Sequence, residues 1–129
     1  MQPIEYLKKA RSLIGKPENW SQCYSARTAA GWQTYINSND ACSWCLNGAI
    51  LKVSDYNDGR ETGNDDDVIN VVLSDKDYHK TLEALTRETG ITDICVYDAL
   101  SDFNDHYATT HKDVTDLIDR TIEKMEATA

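Results

Sequence analysis

The chain has 129 residues, 40% of them hydrophobic and 27% charged, the size and balance of one soluble domain with a core of its own. Twenty-two Asp and Glu oppose thirteen Lys and Arg, for a formal net charge of −9. No apolar run approaches the roughly 18 residues that cross a bilayer, and the opening stretch MQPIEYLKKARSLIG is amphipathic, without a signal-peptide apolar segment or a small-residue cleavage site. These features argue against a membrane protein, a secreted disulfide miniprotein and a multidomain machine, and the expectation is a single cytoplasmic domain over 1–129.

Charge is unevenly placed. Residues 1–60 carry 5 acidic and 7 basic side chains, whereas residues 61–129 carry 17 acidic and 6 basic. A field of that sign repels phosphate backbones and steers basic protein surfaces inward, so direct nucleic-acid binding is not expected. The plain alternative is that the charge serves solubility.

In chain order, Pro3 opens a helix over 3–15 with Ile4, Leu7, Ala10 and Ile14 on one side, stopped by Gly15 and Pro17. From Glu18 to Asn39 the pattern is weak, and AGWQTYIN reads as one short strand or a packed loop. Asp40 can cap a helix running through Trp44, Cys45, Leu46, Ala49, Ile50, Leu51 and Val53. That segment, 40–54, is apolar on most sides and is predicted to be the core helix. Gly48 within it costs helix propensity, which suggests that another backbone or ring comes close there.

DYNDGRETGNDDD follows, and its composition predicts a mobile acidic surface loop at 55–67. VINVVL at 68–73 suits a buried strand or the opening of a helix. Ser74 and Asp77 resemble a start signal for a helix over 75–89, ended by Gly90. Another helix is expected within 91–103. Thr110 caps the last one, in which Val114, Leu117, Ile118, Ile122 and Met125 form an apolar stripe and Asp116, Asp119, Glu123 and Glu126 fall nearly opposite. The predicted fold class is mainly α, a compact bundle of four to five helices with room for a short β element.

Several residue groups bear on chemistry. Cys42 and Cys45 form a Cys-x-x-Cys pair, and with Cys23 and Cys95 they reach the four thiolates of a closed zinc site. Cys23 and Cys95 stand in unrelated contexts, however, so buried core thiols are the leading reading, ahead of metal and redox roles. His106 and His111, five residues apart beside Asp102 and Asp105, fit neither a helical nor a finger-like metal spacing. A calcium loop beginning at Asp55 places Gly59 fifth rather than sixth. No catalytic residue and no cofactor is nominated, although a Cys-His pair meets in space rather than in sequence.

Trp20, the Cys45-Leu46-Asn47-Gly48-Ala49 segment, and Phe103-Asn104-Asp105 ahead of the final helix together resemble an uncharacterised family of small bacterial and phage proteins, a domain of unknown function. The likeness covers the two ends of the chain better than the middle. The chain departs from the family pattern in its acidic insertion at 55–67 and in Phe103, where Trp is expected. The resemblance implies a compact, mainly helical fold and a phage or mobile-element setting, and it transfers no activity.

The functional expectation is a non-enzymatic acidic module that engages a basic protein surface through Asp65, Asp66, Asp67, Asp113, Asp116, Asp119 and Glu123. A phage-encoded inhibitor of a host defence or transcription protein, acting in the host cytoplasm, would use such a surface. The alternatives are a small-ligand-binding protein that uses the Trp and Tyr cluster, with a cleft at Trp20, Asn104 and Asp105, or an enzyme or metal-dependent module around Cys42 and Cys45. In a structural reading, Asn104 and Asp105 turn the chain and bond its backbone. Neither membrane nor nucleic acid is expected as a partner, and the oligomeric state is left open.

Overall fold

The computed structural model describes residues 1–55, 57, 65–92 and 94–128. These hold six helices, α1 (Pro3–Leu13), α2 (Leu46–Val53), α3 (Asp66–Val72), α4 (Lys76–Thr89), α5 (Val96–Asp105) and α6 (His111–Ala127), and three strands, β1 (Ala26–Thr28), β2 (Gln33–Thr34) and β3 (Ala41–Trp44). The fold is mainly α with a small sheet. Most of the acidic loop expected at 55–67, Gly59 included, lies outside the described residues.

Helix α1 is the hub. Pro3 sits at its first position, where no N–H is needed, and Tyr6, Leu7, Ala10 and Ile14 are buried against α2, α4 and α6. The Tyr6 hydroxyl crosses to Asp75 at 2.6 Å. Asp75, rather than the expected Ser74, caps α4 by accepting from the Asp77 N–H at 3.0 Å. Gly90 ends α4 in the left-handed region at φ +77°. In α6 the stripe Val114, Leu117 and Ile118 is fully buried, and Thr110 and Asp113 cap each other's backbone as expected of a reciprocal start signal.

One segment resolves an open alternative and another departs from the sequence reading. VINVVL is helical: Val68 and Val72, four apart, are buried while Val71 and Leu73 are exposed, so its β-branched residues follow the one-sided demand for burial rather than their propensity. The helix expected over 40–54 is split. Ala41–Trp44 pairs with β1 as β3, and the helix starts only at Leu46. Asp40 does not cap it, because its carboxylate accepts from Thr34 and Ser38. Cys45 is the cap instead, its sulfur accepting from the Gly48 N–H at 3.3 Å.

The sheet is antiparallel in the order β2-β1-β3. Ala26 faces Thr34 on one side and Trp44 on the other, and a bulge leaves Cys42 between the pairs Arg27–Ser43 and Thr28–Ala41. On the far edge of β3, Trp20 forms a parallel bridge with Trp44. Residues 21–25 therefore wrap around the end of β3, directly over the start of α2. Gly48 makes that passage possible: a Cβ there would lie 2.1 Å from the Ser25 carbonyl oxygen. The expectation of a close backbone approach at Gly48 holds.

Candidate functional site

Asn104, one residue from the end of α5, is almost wholly buried, and it uses both ends of its amide. Its Oδ1 accepts from Trp20 Nε1 at 2.7 Å and from the Leu46 N–H at 3.1 Å. Its Nδ2 donates to the Ser21 carbonyl at 3.1 Å and to Asp105 Oδ1 at 2.8 Å. Asp105 Oδ1 also accepts from the Cys23 N–H at 2.8 Å, and Gln22 Nε2 donates to the Asn104 and His106 carbonyls at 2.8 and 3.1 Å. Asn47 adds a bond to Ser101 at 2.8 Å. Trp20, the Cys45–Ala49 segment and Asn104-Asp105, distant in sequence, thus meet in one buried polar knot.

The knot stands behind a surface cleft rather than inside it. The cleft, about 660 Å³, is walled by Trp20, Ser21, Gln22 and Cys23 on one side and by Arg27, Thr28 and Gly31 on the other, with Cys42 and Ser43 also lining it. Asn104 and Asp105 anchor the first wall through the bonds to Trp20, Ser21 and Cys23. Cys23 is held at φ +75°, the one non-glycine residue in the left-handed region among the described residues. Arg27 ties the two walls together: Nε and one terminal nitrogen donate to the Gln22 carbonyl of the first wall at 3.1 and 2.9 Å, the other nitrogen donates to the Gly31 carbonyl at 2.7 Å, and the guanidinium lies 4.6 Å from the Tyr24 ring centre.

The cysteines have separate settings. Burial pushes the Cys45 thiol up to about 11, with the Asp105 charge adding to the effect. Cys23, Cys42 and Cys95 are exposed. Cys42 lies on β3 and donates to the Asp40 carbonyl at 3.5 Å, while Cys95 precedes α5 and meets Asp98 at 3.3 Å. The reading of four buried core thiols therefore applies to Cys45 alone, because the Cys42–Cys45 pair straddles a strand-to-helix junction. Among the described residues no three His, Cys, Asp or Glu side chains come together as metal ligands. His79 and His111 each place Nε2 on a backbone carbonyl, of Leu73 and Ile14 respectively, both at 2.7 Å.

The acidic residues divide into two groups. Along α6, Asp119 pairs with Arg11 at 3.0 Å, Glu126 with Lys8 at 3.6 Å and Asp116 with Lys112 at 2.6 Å, and Asp113 accepts from the N–H of the cap residue Thr110. Only Glu123 of that stripe is exposed without an ion pair among the described residues. At the other end, Asp65 accepts from the Ile36 N–H at 2.9 Å, and burial raises its pKa. That bond fastens the run Asp65-Asp66-Asp67 to the arm at 32–40, which carries Trp32 at 74% exposure, Tyr35 at 51% and Asp40. Asp66 and Asp67 are exposed in the first turn of α3.

A three-stranded flap on a mainly helical body, locked by an asparagine-centred knot, defines the class of protein. The chain belongs to DUF6197, a family of unknown function, whose family model matches residues 1–124 and so takes in every segment of the knot. No curated protein and no solved structure matches the chain. Sequence reading found Trp20, Asn104, Asp105 and Cys45 as separate features, but missed Gln22, Arg27 and the left-handed Cys23. The alternation Tyr24, Ala26, Thr28 followed by Gly31 was the available signal for the hairpin that carries Arg27.

Proposed function

We propose that this protein is a non-catalytic binding module that docks a basic partner protein through the outer arm of its sheet and the adjoining acidic run. The supporting observation is the exposure of Trp32 and Tyr35 on an arm that Asp65 ties to Asp66 and Asp67. Aromatic side chains left in water beside a dense charge supply anchor and steering together, the two components that dominate protein interfaces. The net charge of −9 selects a basic partner. The weight falls on this arm rather than on α6, which carries no tryptophan or tyrosine to anchor a partner. Action in the cytoplasm accords with four free thiols. A phage or mobile-element inhibitor that occupies the nucleic-acid groove of a host protein is the specific form of this reading.

The test is affinity capture from nuclease-treated lysate of the source cell, at low and high salt, with three variants. Stoichiometric capture of one basic protein that fades with salt is expected, and it should be lost in Trp32→Ala and in the Asp66→Lys, Asp67→Lys double variant. Reversal of Asp116, Asp119 and Glu123 to Lys should leave most of the capture intact. Trp32→Ala should alter folding stability by no more than about 0.5 kcal/mol, so its loss of capture would report the surface alone. Capture that survives both arm variants, or that only the α6 reversal removes, would refute the arm as the docking site.

A further inference from the structure

The cleft between the Trp20 wall and the sheet contains a positive charge that the protein has positioned and left uncompensated. Arg27 makes three hydrogen bonds, all to neutral carbonyls, and lies on the Tyr24 ring. No carboxylate among the described residues forms an ion pair with it. Three of its five N–H groups are thereby used to fix the fork, and two are left for a ligand. A guanidinium held in this way recognises a carboxylate with little further loss of side-chain freedom. Arg11 and Arg120, by contrast, pair with Asp119 and Glu88.

Three further features narrow the ligand. Glu18 lines the same cleft and is unpaired with Arg27, so the site holds one charge of each sign. Ser21, also in the lining, has a buried hydroxyl with no hydrogen-bond partner within the protein. The surrounding field of a −9 chain opposes dianions and polyanions but leaves an electrically neutral molecule unaffected. We infer that the cleft binds a small zwitterion, an α-amino acid or short peptide, with its carboxylate on Arg27 and its ammonium paired with Glu18. The volume of about 660 Å³ accommodates such a molecule. The knot around Asn104 holds Trp20, Ser21 and Cys23 in place, so the wall to which Arg27 is bonded at Gln22 is preorganised as well. This inference is independent of the docking arm, because it needs neither Asp66 nor Asp67.

The full chain is titrated with individual L-amino acids and with glycylglycine, read by thermal midpoint and by tryptophan fluorescence. N-acetylglycine, ethylamine and inorganic phosphate serve as probes that each lack one charge of the pair. At least one zwitterion is expected to raise the midpoint saturably by about 5 °C or more at saturation, with the acetylated and decarboxylated probes binding at least about tenfold more weakly. Glu18→Gln, at an exposed position, should weaken the zwitterion about tenfold and leave N-acetylglycine unchanged. Arg27→Lys, which keeps the charge and loses the fork, should weaken both. Absence of any zwitterion effect up to about 10 mM, equal binding by the Glu18→Gln protein, or preference for phosphate would overturn the assignment.

Discussion

The Asn104 knot and the outer arm at 32–40 use the same residue types to opposite ends. In the knot, tryptophan, asparagine and aspartate are buried or half-buried and bonded to one another, with Trp20 Nε1 on Asn104 and the Cys23 N–H on Asp105. In the arm, Trp32 and Tyr35 stand in water, and Ile36 beside Tyr35 bonds Asp65, the residue before exposed Asp66 and Asp67. A buried polar group must have its partner, and the cost of removing that partner falls on the fold. An exposed aromatic contributes little to the fold, so its retention points outward. The comparison teaches that residue identity does not separate structural from functional sites here, whereas burial and hydrogen-bond satisfaction do.

The sharpest way to break the contrast is at Gly48. A methyl group there meets the Ser25 carbonyl at 2.1 Å, so Gly48→Ala must push residues 21–25 off the start of α2. The expected destabilisation exceeds about 4 kcal/mol or prevents folding, measured by chemical unfolding and circular dichroism. A Gly48→Ala protein of native stability would show that the wrap over α2 is not required.

Next in size is Asn104→Ala, which leaves Trp20 Nε1, the Leu46 N–H and the Ser21 carbonyl without their partner. The expected loss is about 3–5 kcal/mol, read from denaturant midpoints, with Trp20 fluorescence reporting the loosened wall. A loss under about 1 kcal/mol would mean that water replaces the amide.

The smallest of the three is a pH effect. The Cys45 thiol titrates at about 11 in the folded chain against 9.0 ordinarily. Burial therefore favours the neutral form, and the associated stability is complete below pH 9 and disappears as the pH rises to about 11. Wild type should lose about 3 kcal/mol more than Cys45→Ser across that window. Parallel pH profiles for the two proteins would exclude a desolvated thiol at the helix cap.

Much of the helical frame was legible because it rests on local chemistry. Pro3, the Thr110 cap and the Gly90 stop act within a turn of the backbone, and the stripe on α6 follows from helical spacing alone. The segment at 40–54 was misread because its apolar content is compatible with either strand or helix, and β1, fifteen residues earlier, decides which part pairs. The acidic stripe on α6 was legible as a stripe, but its neutralisation depends on Lys8 and Arg11, more than a hundred residues away.

The candidate sites show the same division. Sequence by itself determined a mainly helical acidic domain, the close approach at Gly48 and the separate importance of Trp20, Cys45, Asn104 and Asp105. Only the tertiary structure brought those residues into one knot, tied Arg27 to the wall they support, and fastened the acidic run to the arm at Ile36. The physical reason is range: caps, stops and amphipathic stripes are determined within a few residues, whereas the satisfaction of a buried amide and the neutralisation of a surface charge depend on partners that only chain folding brings within about 3 Å.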